Sequence, residues 1–206
     1  VTIVAGGLFA KYCCSPINDF MTWLGTLINE ATKLSPFLMG VVVSVLVGCA
    51  LTLPISSVAI CVMLGLDGLA AGAATVGCCA QMIGFAVISY KDNGIGGLIS
   101  QGIGTSMLQM GNICKNVLIW IPATLASMIT GAISTTVFKM KCIGVSAGMG
   151  TCGMVGPLGI FAEMGTDGIV GIVVLCIVAP AVLSLIFSEI MRKIGWIKEG
   201  DLKLDL

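Results

Sequence analysis

The feature that most constrains this chain is a set of uncharged apolar stretches, each close to the roughly 20 residues that a helix needs to cross a hydrocarbon core of about 30 Å. Residues 36–53, 68–90 and 117–138 contain no Asp, Glu, Lys or Arg, and 169–190 contains none before Glu189. Only 10% of the chain is charged, against 57% hydrophobic, whereas a soluble domain carries about 25% charge to cover its surface. Lipid is the solvent these segments suit. The expected fold class is an all-α integral membrane protein, a polytopic helical bundle.

Within the stretches, breaks and ends can be read from particular residues. The run Val41-Val42-Val43 lies in 36–53, and Pro54 cuts the pattern before 55–66, so the pair reads as one span plus a half-helix. In 68–90, Gly68 and Gly72 form a small-x-x-x-small pattern that predicts close approach of a neighbouring helix. That span closes on Tyr90-Lys91-Asp92-Asn93-Gly94, an interfacial aromatic followed by charge and turn residues. Span 117–138 has Trp120 near its start, tolerates Pro122 in its first turn and stops at Lys139 and Lys141. Span 169–190 should kink at Pro180 and end at Glu189, Arg192 and Lys193.

Ahead of these, Ile17, Phe20, Met21, Leu24, Leu27 and Ile28 recur at helical spacing opposite Asp19, Thr22, Asn29 and Glu30. They predict an amphipathic helix over 17–33, lying either in the membrane interface or packed in a protein-lined crevice. The chain opens on Val1, and 1–10 is apolar without a charged region leading to a cleavage site, so it does not read as a signal peptide. The expectation is a single transmembrane domain over 1–206, the C-terminal portion of a longer protein.

Two segments, 94–112 and 143–168, are too apolar for solvent loops and too rich in glycine for ordinary helices. Non-helical backbone at membrane depth is tolerated only where protein or a water-filled cavity satisfies its polar groups, so both read as glycine-rich broken or re-entrant helices beside a pathway. They share a pattern. Gly102-Ile103-Gly104-Thr105-Ser106 and Gly148-Met149-Gly150-Thr151-Cys152 are both G-x-G-T followed by a small residue, and each precedes a full span. Matching interruptions in two halves point to a transporter's binding site; a chance match in a glycine-rich chain is the alternative.

Polar residues inside these segments are the binding candidates. Glu163, flanked by apolar residues, reads as an acceptor for a polar substrate or a proton carrier, or else as an interfacial loop carboxylate beside Asp167. Gln101, Thr105, Ser106, Gln109 and Asn112 offer the uncharged donors and acceptors that read hydroxyl-rich ligands, or else satisfy the freed backbone of a kinked element. Thr151 joins them as the threonine of the second motif. Gln81 reads as glue between helices. Thr52, Pro54, Ser56 and Ser57 surround the break after the first span, either facing a substrate or serving as punctuation. Met107, Met110, Met149, Met154 and Met164 crowd the broken segments as flexible packing.

Several chemistries are excluded or unsupported. The chain has no histidine, and its ten cysteines include no C-x-x-C and mostly sit in apolar runs, so no metal is expected. No G-x-x-x-x-G-K-[ST] occurs, and no cofactor is expected. Ten basic residues balance ten acidic ones without a basic cluster, which removes nucleic acid as a partner. Glu163 and Asp167 lack a nucleophile or metal partner at useful spacing for catalysis.

The strings Leu51-Thr52-Leu53-Pro54-Ile55-Ser56-Ser57, Gly102 through Met110, Ile119-Trp120-Ile121-Pro122-Ala123-Thr124-Leu125-Ala126-Ser127 and Gly148-Met149-Gly150-Thr151 resemble the IIC-like membrane proteins of the bacterial phosphotransferase system. The nearest branch in that resemblance is the perfringolysin O regulator-like proteins. It implies a bacterial inner-membrane protein, a homodimer, in which re-entrant hairpins cradle a sugar or polyol. It also implies that sugar phosphorylation rests with a separate IIB-type protein rather than with this chain. Such permeases typically place a glutamate with a histidine in the sugar site; here histidine is absent and Glu163 is the nearest glutamate. The expected function is a permease that binds its ligand between the two broken segments through Gln101, Thr105, Ser106, Gln109, Asn112, Thr151 and Glu163. The alternative is a membrane ligand sensor that regulates gene expression without transport.

Arg192, Lys193, Lys198 and Lys203 put the C-terminus on the cytoplasmic side by the positive-inside rule. Lys139 and Lys141 prefer the same side, which requires 143–168 to cross once in net terms. If 143–168 is a hairpin, one of those placements fails.

Overall fold

The computed structural model describes residues 35–198 and 200–204, together with Asp19, Trp23 and Thr26. The amphipathic helix expected over 17–33 therefore falls outside the described residues, except that Asp19, Trp23 and Thr26 are helical and exposed. The rest is all-α. Helix α1 spans Pro36–Thr52, α2 Ser57–Met63, α3 Gly68–Ile88, α4 Tyr90–Ile99, α5 Met110–Lys115 and α6 Ile121–Thr136. After α6 come α7 (Gly144–Ala147), α8 (Val155–Met164), α9 (Gly168–Gly171) and α10 (Ala179–Ile194).

Three helical stretches are long and apolar enough to cross a membrane, namely Gly68–Ile88, Val117–Thr136 and Cys152–Ile194, with Pro36–Thr52 a shorter apolar helix. At 1.5 Å per residue, α1 reaches about 25 Å, a little short of the hydrocarbon core, because Pro54 ends it. The stretch Cys152–Ile194 is not one rod. Gly165 adopts φ 61, ψ −140 and breaks it after α8, so the last span begins at Gly168. Pro180 lies in the first turn of α10, directly after a π-helical segment, Ile172–Val178. A proline cannot donate to the turn before it and its ring crowds the carbonyl four residues back, and the wider π turn relieves both.

Helices α1, α3 and α6 pack against one another as the centre, and α10 covers α3 and α6. Close approach comes from glycine, though not where the small-residue pattern put it. A Cβ on Gly77 would strike the Ser44 carbonyl, and one on Gly48 would lie 2.9 Å from the Gly77 carbonyl, so α1 and α3 touch backbone to backbone there. Gly72 approaches the Met140 carbonyl, in the extended chain after α6, while Gly68 faces open space. The pattern identified a contact but not its partner. Across the α1–α6 seam the Ser44 hydroxyl donates to the Ser127 carbonyl at 2.9 Å. In the interior, the Gln81 amide donates to Thr124 Oγ1 at 3.2 Å and accepts from the Trp120 indole at 3.2 Å, the interhelical role expected of it.

The direction of each element follows from its end contacts. At one end of the bundle, Cys142 N–H donates to the Gly68 carbonyl at 3.1 Å, and Lys141 N–H lies 3.1 Å from Met164 Sδ. At the other, the Arg192 guanidinium donates to the Ile88 carbonyl at 3.2 Å, and the Asn116 amide donates to the Trp196 carbonyl at 3.1 Å. Residues 143–168 thus leave and return at the first end, and 94–112 at the second. The lysine pair Lys139 and Lys141 lies at the opposite end from Arg192, Lys193, Lys198 and Lys203. Both groups cannot face the cytoplasm, and the positive-inside expectation fails for one of them because 143–168 makes no net crossing.

Candidate functional site

Three interruptions of the helical pattern meet inside the bundle. The first lies between α1 and α2, where Leu53 is extended, Pro54 follows, and the Ser56 hydroxyl caps α2 by accepting from Ala59 N–H at 3.2 Å. The second starts with a π-helical segment, Ser100–Gly104, after which Thr105 is extended (φ −158, ψ 142). The third runs from α7 to α8 through Gly150, Gly153 and Met154, all with positive φ. For Gly150 the φ of +57 is coupled to close contact with Cys78 of α3, so a side chain is excluded twice over.

Buried hydroxyls tie these breaks together. Thr52 Oγ1 and Ser106 Oγ are 3.2 Å apart, the Ser57 hydroxyl donates to the Gly148 carbonyl at 2.7 Å, and the Thr151 hydroxyl donates to the Gly102 carbonyl at 2.6 Å. Each of the three breaks is bonded to both of the others. Thr52, Ser57, Ser106 and Thr151 are all buried, so unpaired backbone that would be costly in lipid is satisfied within the protein. The break flanked by Thr52 and Ser57 is part of this junction rather than punctuation alone.

Beside the junction sits Gln101, completely buried. Its amide nitrogen donates to Ser89 Oγ at 2.7 Å, but its Oε1 has no hydrogen-bond partner. Such an acceptor costs about 1–3 kcal/mol if nothing ever satisfies it. Ser89 was not singled out in the sequence, and its position at the α3–α4 corner explains why: a lone serine after an apolar span reads as an end. Gly102, Ile103, Thr151 and Met154 of the junction line a cleft of about 280 Å³ against α3 and α10, and its walls are almost wholly apolar.

The remaining expected contacts lie elsewhere. Thr105 Oγ1 accepts from Met107 N–H at 3.2 Å and caps the turn that follows, so the two motif threonines differ in role. Gln109 and Asn112 face the C-terminal tail: the Gln109 amide donates to the Leu202 carbonyl at 3.0 Å, and Asn112 donates to Gln109 Oε1 at 2.9 Å and to the Lys203 carbonyl at 2.8 Å. Asn93 completes the clamp, donating to the Leu202 carbonyl and accepting from Leu204 N–H, both at 2.7 Å. Glu163 is exposed on α8, and its charge bears on Cys142 at the opposite end from the tail. It is not gathered with Gln101, Ser106 and Thr151. Among the described residues, no group of three or more metal-ligating side chains occurs.

A comparison with curated proteins and one with solved structures find no match. A family model described as "Phosphotransferase system, EIIC" matches residues 1–204. Taken with the apolar spans and the paired broken segments, this places the chain in the EIIC family of the phosphotransferase system.

Proposed function

We propose that this membrane protein is a permease that binds a sugar or polyol at the junction of the three helix breaks and alternates access by moving one broken segment against the other. The observation that carries this reading is the triangle of hydroxyl contacts joining Thr52, Ser57, Ser106 and Thr151 across the breaks. Supporting it, each broken segment leaves and returns at one end and is followed by a span toward the other. The two units run in opposite directions, the arrangement of inverted-repeat transporters. Gln101 Oε1 supplies an acceptor for a ligand hydroxyl. A IIB-type protein brings the phosphoryl group, a homodimer is the working assembly, and the bilayer is the bacterial inner membrane with the tail end of the bundle cytoplasmic.

Uptake of a panel of radiolabelled sugars by proteoliposomes of the full-length protein tests this, with and without the soluble phosphotransfer proteins and a IIB candidate. Phosphosugar formed only with those proteins is the expected result. Uptake without them replaces phosphorylation coupling with an uncoupled or ion-driven step, and no flux with any sugar overturns the permease.

A second reading, a ligand sensor without flux, is favoured by one observation. Gln109 and Asn112 are held by the tail and not directed at the apolar cleft. It predicts saturable sugar binding in detergent by a protein that gives no uptake.

A further inference from the structure

At the tail end of the bundle a pocket of about 590 Å³ is lined by Lys91, Arg192, Lys193 and Lys198, with Glu189 as the one carboxylate in its wall. Lys91 pairs with Glu189, and Arg192 lies 3.7 Å from Asp92. Lys193 and Lys198 are exposed and have no carboxylate within ion-pair distance among the described residues, although the Asp201 carboxylate feels the charge of Lys198. The pocket therefore keeps positive charge after its internal pairs are counted. Exposed Tyr90 and Trp196 are chain neighbours of its lining residues Lys91, Gly195 and Ile197, and such amphipathic rings collect at headgroup level.

This pocket does not end on the charged surface. A cleft of about 170 Å³ shares Lys91, Glu189 and Arg192 with it and continues between Val87, Leu98 and Leu185. The cleft of about 280 Å³ at the junction then shares Val87 and Leu98, and leads on past Ile103 and Ile177. The three cavities follow one another along α4 and α10 through shared lining residues, basic first and apolar after, with the Lys91–Glu189 pair among the residues the first two share. Along α10 and the π segment, Arg192 to Ile177 covers about 22 Å at 1.5 Å per residue, more than the roughly 15 Å of one leaflet's hydrocarbon. A ligand matching this gradient carries an anionic group at one end and a long apolar chain at the other.

We infer that this row of cavities is a binding site for an anionic phospholipid, its phosphate held by Lys193 and Lys198 and an acyl chain lying between Leu98 and Leu185. Neither half suffices alone. A soluble phosphate leaves the apolar cavities empty, and a zwitterionic lipid brings its own cation against the lysines. Basic pockets between spans on the cytoplasmic side are the recurrent setting for such headgroups. The basic end of this site is separate from the sugar reading, since none of the basic residues belongs to the junction, while its apolar end reaches the cleft lined by Gly102, Ile103, Thr151 and Met154. It gives the tail a second anchor, because Ile197 and Lys198 line the same pocket.

Native mass spectrometry of the detergent-solubilised full-length protein tests this with phosphatidylglycerol, phosphatidylcholine, glycerophosphoglycerol and inorganic phosphate. The expected result is selective retention of phosphatidylglycerol, unaffected by excess glycerophosphoglycerol or phosphate. The K193Q/K198Q variant should retain it about thirtyfold more weakly, at roughly fivefold per lysine, with an unchanged unfolding midpoint in lipid-free detergent. Should that variant fold poorly, salt supplies the same reading on the wild-type protein: raising it must weaken phosphatidylglycerol and leave phosphatidylcholine unchanged. Equal retention of the two lipids means ordinary annular lipid and overturns the proposal. Competition by glycerophosphoglycerol or phosphate assigns the pocket to a soluble anion and overturns it equally.

Discussion

Gln101 shows how one side chain can separate structure from function. Its Oε1 is buried without a partner, so replacing it with leucine removes an unsatisfied acceptor at the expense of one bond to Ser89. The two effects nearly offset, and Gln101→Leu should leave thermal stability in detergent within about 1 kcal/mol of wild type. Sugar uptake by the same variant should fall roughly tenfold or more, the worth of about 1.4 kcal/mol of lost ligand hydrogen bonding. Wild-type uptake would remove Gln101 from the site. Gly77 makes the opposite case. Its missing side chain is what lets α3 meet α1, and Gly77→Ala should destabilise the bundle by about 1–3 kcal/mol, read as a lowered unfolding midpoint. The sequence disclosed that Gln101 and Thr151 lie in interrupted segments, since glycine and amide residues in an apolar run are visible locally. It could not disclose the partners of Gln109 and Asn112, which lie more than 90 residues away on a short tail without periodicity. Nor could it tell that Glu163 is exposed, because facing direction within α8 depends on what packs against it.

Among elements, the breaks and the tail divide the labour. The Thr151 hydroxyl joins the two broken segments directly, so Thr151→Val keeps the shape while depriving the Gly102 carbonyl of its donor. A loss of about 1–3 kcal/mol in unfolding free energy is expected, together with faster hydrogen exchange in both segments rather than in one. Exchange changing in only the mutated segment would show that the junction does not couple them. Docking of the tail is set by a different chemistry. Asp201 accepts from its own turn at Lys198 N–H and from the Asn116 amide, which hold its carboxyl below the ordinary carboxylate range, with Lys198 and Arg192 adding to the effect. A depressed carboxyl pKa in the docked state gives a contribution that is complete above the free value, about 4, and is lost as pH falls through the docked value. Exchange at 200–204 should therefore stay slow from neutral pH down to about 4 and rise below it, and Asp201→Asn should remove that acid-dependent step. Pro54 and the paired G-x-G-T strings made the breaks legible in advance, because proline and clustered glycine act on the backbone locally. That the breaks bond to one another is a tertiary fact, carried by hydroxyls whose spacing along the chain has no period.

For the whole molecule, the arrangement of ends decides orientation. Lys91, Lys115, Arg192, Lys193, Lys198 and Lys203 gather at the tail end, against Lys139 and Lys141 at the other, and positive-inside sorting then favours a cytoplasmic tail. The sequence leaves two topologies open, and the one in which 143–168 is a hairpin agrees with both of its ends lying at the same end of the bundle. Cys114 provides a natural reporter, being exposed beside Lys115 while the cysteines of α2, α3 and the last span are buried. In a background with Cys13 and Cys14 replaced by serine, a membrane-impermeant maleimide should label Cys114 in inside-out vesicles and not in right-side-out ones. Cysteine introduced at exposed Lys139, in a C114S background, should show the reverse. Labelling of both positions from one side would mean that 117–138 does not cross, and the two-unit arrangement would fall. Opposite labelling with Cys114 outside would keep the arrangement and invert the protein, moving the proposed lipid pocket to the other leaflet. The assay thus separates the geometry of the bundle, fixed by hydrogen bonds at both ends, from its sense in the membrane, which rests on the distribution of eight cations among the described residues.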